Sequence, residues 1–141
     1  MKEFLMKFGT KYNFEFKVID MSTPSCKFNI NSIVGIQMYK GLPIIPQCSI
    51  SLQMLDRGMR VRHDLCLVES TTEEHKLNED KIRKVCQSTG RFDDITNVEK
   101  IWYHKDDKIY AVWSIDHNDS MYCAYMSENG TVFDINPMFR T

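Results

Sequence analysis

The sequence predicts a strand-rich α+β fold: two N-terminal β-hairpins, one short helix over about residues 79–89, then a C-terminal four-strand antiparallel meander. Three observations predict it. Apolar side chains recur at every second residue through most of the chain, the period of a strand rather than a helix. Clusters of Gly, Pro, Asn and Asp interrupt those runs where turns belong. Alanine occurs only at Ala111 and Ala124, which disfavours a helical bundle.

The 141 residues suit a single domain, 1–141, or at most two small halves sharing a core. A chain of this length buries roughly two-thirds of its unfolded surface, so it needs no disulfide or metal to fold. The formal net charge of −1 supplies no overall field for nucleic acid or an anionic membrane. Cys26, Cys48, Cys66, Cys86 and Cys123 are odd in number and contain no CxxC pair. They read as small buried hydrophobes in a reducing compartment. Near the N-terminus, Phe4-Leu5-Met6 is halted by Lys7, too short a run for a secretion signal. No run reaches transmembrane length, so a cytoplasmic location without membrane contact is expected. Isoleucine, lysine and asparagine are common where alanine is scarce. An AT-rich genome encodes that bias, and it makes a phage or viral accessory protein the expected origin.

Tyr12, Phe14, Phe16 and Val18 alternate with Asn13, Glu15 and Lys17, and residues 26–30 alternate again after a turn cluster at residues 21–25. The two runs read as the first hairpin. Residues 33–39 are a further strand, where Gly35 marks a bulge or a close backbone approach. Pro43 and Pro46 make residues 41–46 an extended connector rather than a central strand. Cys48, Ile50, Leu52 and Met54 then alternate with polar residues, as do Met59, Val61, His63, Leu65 and Leu67. With Asp56-Arg57-Gly58 between them they form the second hairpin, its three-residue loop closed by a left-handed Gly58. Residues 69–74 are acidic and read as a mobile loop.

Asn78 caps the one helix, with Glu79 and Asp80 at its positive end. Leu77 and Ile82 are placed to staple it, and Gly90 ends it. Ile82, Val85 and Cys86 form its apolar stripe. So short a helix needs a sheet to dock on. Residues 98–103, 108–115, 121–126 and 131–135 alternate strictly and are joined by polar turns, which makes the meander. Both of its faces carry apolar or aromatic groups. One takes the helix, and the other calls for the N-terminal sheet or a second copy of the chain.

The aromatic residues of that sheet, Trp102, Tyr110, Trp113 and Tyr122, are the candidate binding patch, being of the types that interfaces favour. Arg57, Arg60 and Arg62 form a small basic strip able to meet phosphate. His63 falls on the apolar face of its strand, where a core histidine is expected. His104 and His117 sit near Asp106, Asp107, Asp116 and Asp119. Consecutive turns lie at opposite ends of a sheet, on the order of 20 Å apart, so these are expected to be polar turn residues in water rather than a metal site. No GxSxG, HExxH, Walker or GxGxxG pattern occurs, so no catalytic residue, metal or cofactor is assigned.

Residues 79–135 resemble PepSY-type modules, in which a short helix precedes strands ending in a Gly-containing hairpin, here Asn129-Gly130-Thr131-Val132. Met54-Leu55-Asp56-Arg57-Gly58, followed by strands, is similar to small toxin-type or phage endoribonucleases of the RelE-like fold. That likeness implies a helix where the alternation reads as strand. Neither transfers an active site, and no family is assigned.

The function expected from sequence is that of a non-enzymatic binding or regulatory protein. It would inhibit or sequester a partner or ligand through an apolar-aromatic sheet surface, with self-association. The alternative is a small nucleic-acid-binding or RNA-cleaving enzyme using Arg57, Arg60, Arg62 and His63.

Overall fold

The computed structural model describes residues 1–24, 29–68 and 74–137. The fold is α+β, strand-rich with two helices, and the chain groups into two compact units, Met1–Leu67 and Val68–Thr141. Cys26 and the acidic residues 69–73 lie outside the described residues. Among those described, no helix is long and apolar enough to cross a membrane.

The first unit begins with helix α1 (Lys2–Tyr12), followed by strands β1 (Glu15–Asp20), β2 (Thr23–Pro24), β3 (Asn29–Ile30), β4 (Ser32–Tyr39), β5 (Leu42–Ile45), β6 (Ser49–Leu55) and β7 (Gly58–Asp64). α1 is an element the alternation concealed. Phe4, Phe8 and Tyr12 recur at helical spacing, Glu3 and Lys11 suit its two ends, and Asn13 closes it in the left-handed conformation at φ 59. Asparagine tolerates that conformation because its short polar side chain bonds locally. The expected strand over residues 12–19 therefore starts only at Glu15. Leu5 packs in a core with Ile33 of β4 and with Ile50 and Leu52 of β6, with Phe16 and Val18 of β1 at its margin.

The first hairpin differs from expectation. β1 pairs with β4, Val18 opposite Gly35, whereas the run after the turn cluster contributes only β3, paired with β2. Gly35 is the close approach its position suggests. A Cβ there would meet Ile50 at 3.1 Å and the Phe16 ring at 3.2 Å. The expected connector is strand β5, paired with β4 at Met38↔Pro43 and Tyr39↔Leu42. Lys40 and Gly41 join them, with φ 46 and 77. Two successive positive φ values match strand twist and favour a two-residue hairpin. Proline is tolerated in β5 because it sits in a short pairing that does not demand its missing N–H. The second hairpin, β6–β7, is as expected, but Leu55 pairs directly with Gly58. Its loop is thus two residues, and Gly58, at φ 141, starts β7.

In the second unit, helix α2 (Glu79–Thr89) precedes β8 (Asn97–Lys105), β9 (Lys108–His117), β10 (Tyr122–Ser127) and β11 (Val132–Pro137). The strands pair consecutively and antiparallel, as the meander requires. Asn78 caps α2 by accepting from Lys81 N–H at 2.9 Å, and Gly90 ends it at φ 66. Ile82 and Cys86 of α2 pack with Val98, Trp113, Ile115, Ala124 and Met126 of the sheet.

Glu128 ties the chain before α2 to this sheet. It accepts hydrogen bonds from Lys76 N–H at 2.8 Å, Leu77 N–H at 2.9 Å and the Trp113 indole at 3.0 Å. Burial alone would raise its carboxyl pKa, but these donors overcome that and hold it below the ordinary value of 4.5. His75 lies against Trp102 and reaches two carbonyls, Ile101 O at 2.8 Å and Val112 O at 2.9 Å. Both are acceptors, so Nε2 carries the hydrogen.

Two outcomes follow for stability. In Gly9→Ala, helix propensity favours alanine by about 1 kcal/mol. The new Cβ, however, would lie 2.7 Å from the Phe14 carbonyl oxygen. Overpacking against backbone exceeds the propensity gain, so a net loss of about 1–2 kcal/mol is expected in denaturant titration. In Glu128→Gln, the amide presents an N–H₂ to donors, and a loss of about 1–3 kcal/mol is expected, read by tryptophan fluorescence. Because the native carboxyl pKa is lowered, the native protein has this stability in full above pH 4.5 and loses it as pH falls through the native value. The variant lacks that acid limb.

Candidate functional site

The expected aromatic patch does not lie on one open surface. Trp102 and Trp113 share the α2 side of the sheet and are 2% and 3% exposed. Tyr110 is on the other side, its ring tilted against that of Phe133 at 5.2 Å. Tyr122 returns to the α2 side at the far end of the strand, against His117. The second side is closed at its centre too, with Ile101, Tyr103 and Val112 buried. Tyr125, held by burial and the neighbouring Cys123 at a pKa of about 12, stays protonated at neutral pH.

His117 is not a turn residue in water. It ends β9 buried, its Nε2 without a hydrogen-bond partner among the described residues. Burial lowers its pKa despite Asp116 and Asp93, so it sits neutral. The hydroxyl-bearing turn beyond it, residues 118–120, takes three successive positive φ values.

Arg57, Arg60 and Arg62 are exposed, Arg57 in the turn and the other two along β7. His63 is exposed rather than in the core. It pairs with Ile50 and points to the side opposite Arg60 and Arg62, so the strand separates the histidine from the two guanidinium groups. A joint His–Arg phosphate site is not assembled.

What the structure brings together is an apolar pocket inside the first unit. It encloses about 320 Å³ and is open to solvent. Phe4 and Phe8 line it from α1, Phe14 from the link to β1, Ile50 from β6, Val61 and His63 from β7, and Leu65 and Leu67 from the segment after β7. Phe8 is the centre of an aromatic group, 5.7 Å from Phe14 and 4.8 Å from Tyr12. The rim is exposed: Phe4 is 41%, Val61 42% and Leu67 82% accessible.

One wall is set by Gln37. This side chain, 2% exposed on β4, donates from Nε2 to Cys66 O at 2.8 Å and accepts from Cys66 N–H at 2.9 Å. It satisfies a backbone that has left the ladder and brings residues 65–67 back over the sheet. Cys66 and Cys48 are buried beside each other, and burial pushes the Cys66 thiol to about 12 and Cys48 upward. Neither is a ready thiolate nucleophile.

Sequence reasoning reached Val61, His63, Leu65 and Leu67 as one apolar face but missed their partners on α1. The signal was present in Phe4, Phe8 and Tyr12, spaced four residues apart. No protein-family model, curated protein or solved structure matches this chain.

Replacing Gln37 by methionine keeps its volume but leaves the Cys66 N–H and C=O buried without partners. The expected loss is about 2–4 kcal/mol in denaturant titration, with faster amide exchange at residues 65–67 than elsewhere in the unit.

Proposed function

We propose that this protein is a non-enzymatic binding protein whose binding surface is the apolar pocket between α1 and β6–β7. The observation that carries this reading is the open pocket itself, lined by aromatic and aliphatic side chains with His63 as its polar member. Its volume falls at the lower end of the range for small-ligand sites, roughly 300–1,000 Å³. The apolar exposure extends beyond it along the same face of the hairpin, through Met54 and Met59. A contiguous apolar surface of this kind in a water-facing unit marks a site that a partner covers. The thiols nearest the pocket are held protonated, which favours binding over nucleophilic chemistry.

The pocket takes an apolar group, whether a small molecule or the side chain of a partner. His63 at its edge adds one hydrogen-bonding position that fixes orientation. Self-association would use the same surface and is read in the same samples by sedimentation.

The test is a fluorescence titration with the apolar dye 1-anilinonaphthalene-8-sulfonate. Saturable binding with one site per chain is expected. Val61→Trp, which places an indole in the opening, should weaken it about tenfold while leaving the circular dichroism unchanged. No saturable binding, or binding that Val61→Trp leaves untouched, overturns the reading.

A further inference from the structure

We propose that β7 accepts an added strand from an acidic partner, an extended segment in which apolar residues alternate with glutamate or aspartate. This deepens the pocket reading and rests on it. The first observation is the state of the edge. Among the described residues β7 pairs only with β6, and all seven of its residues are exposed. Alternate N–H and C=O groups of such a strand point outward without a ladder partner. Proteins blunt an edge with proline, a bulge, a very short strand or charged side chains, and of these β7 has only the charges, Arg60, Arg62 and Asp64. β7 has no proline, and its register with β6 runs unbroken from Gly58 to Asp64.

The second observation is the sorting of side chains. Met59, Val61 and His63 face the α1 side, where the pocket lies, and Arg60 and Arg62 face the other. Neither guanidinium is in an ion pair among the described residues. A strand laid along β7 inherits the same alternation. On one side its residues continue the apolar surface over the pocket. On the other they stand beside Arg60 and Arg62, which outnumber Asp64 on that side, so carboxylates are attracted and lysines repelled. The edge thus selects for a pattern, apolar then acidic, rather than for apolar character alone.

The same charges disfavour a second copy of this chain in one of its two central registers. Antiparallel pairing of two β7 strands centred on Val61 sets Arg60 opposite Arg62 twice. Centred on Arg62, it sets that residue against itself but Arg60 opposite Asp64 twice, so charge does not exclude that register. Like charges directly opposed destabilise a sheet. Nucleic acid fits less well, because the other side of the strand presents an apolar surface and the chain has a net charge of −1.

The experiment uses short, end-blocked, fluorescein-labelled peptides on the full chain, followed by anisotropy at about 50 mM salt. One alternates valine with glutamate, the second valine with lysine, and the third is the glutamate peptide with a central proline. The glutamate peptide is expected to bind at least about tenfold more tightly than either of the others. Amides of β7 should gain protection from hydrogen exchange when it binds. Arg60→Glu combined with Arg62→Glu should reverse the preference between the glutamate and lysine peptides. Should that variant misfold, salt serves instead, since raising it must weaken the glutamate peptide.

Equal binding of the glutamate and lysine peptides, unchanged exchange in β7, or a single-stranded oligonucleotide binding in the peptide's place overturns the proposal. So does a dimer held by backbone pairing of two β7 edges. Peptide failure with saturable dye binding retained removes strand addition alone. Loss of dye binding as well removes the pocket.

Discussion

Gln37 is buried on β4 with its amide paired to the backbone of Cys66, donating to the carbonyl at 2.8 Å and accepting from the N–H at 2.9 Å. A side-chain amide has the same donor and acceptor as a peptide group, so one residue stands in for a missing strand partner. The chain leaving β7 is thereby drawn back over the α1 side of the sheet. Leu65 and Leu67 become a wall, and the space between them, α1 and β7 becomes a pocket rather than a shallow slope. Burying that amide is favourable only because both of its groups are satisfied.

The second constraint is coverage. A helix is about 10 Å across and strands lie about 4.8 Å apart, so one helix shields roughly two to three strands. In the second unit α2 is matched to this task. Trp113, Ile115, Ala124 and Met126 are closed beneath it, with Tyr122 left 37% exposed at the end of that side. In the first unit α1 seals Leu5 with Ile33, Ile50 and Leu52 and stops short of β7. Leu52 and Val61 are cross-strand partners on one face, yet the first is fully buried and the second is 42% exposed. The boundary of the covered area runs between them, and the binding surface begins there.

Where side-chain periodicity and turn chemistry agreed, the sequence was legible. The meander, the capped helix α2 and the β6–β7 hairpin each had both signals. α1 was hidden because Tyr12, Phe14, Phe16 and Val18 alternate straight through its end, and only the left-handed Asn13 separates helix from strand. β5 was hidden by its prolines, whose missing N–H argues against a central strand but not against a short pairing. The site was partly legible. The apolar face of β7 and the arginines opposite it follow from alternation alone. Which face a helix leaves open does not, because it depends on packing between residues far apart in sequence. For the same reason Trp102 and Trp113, plausible surface residues by type, lie closed in the α2-side layer.

The measurement that bears most directly on this account is thiol labelling at one cross-strand pair. Leu52→Cys and Val61→Cys place a thiol on either side of the covered boundary, against native Cys48, Cys66, Cys86 and Cys123 whose pKa values burial raises. With iodoacetamide, read by mass spectrometry of the peptide carrying each position, the thiol at position 61 should react at close to the rate of a free small thiol. The thiol at position 52 should react about a hundredfold more slowly. Equal protection at the two positions would mean that β7 is covered, and would contradict the account.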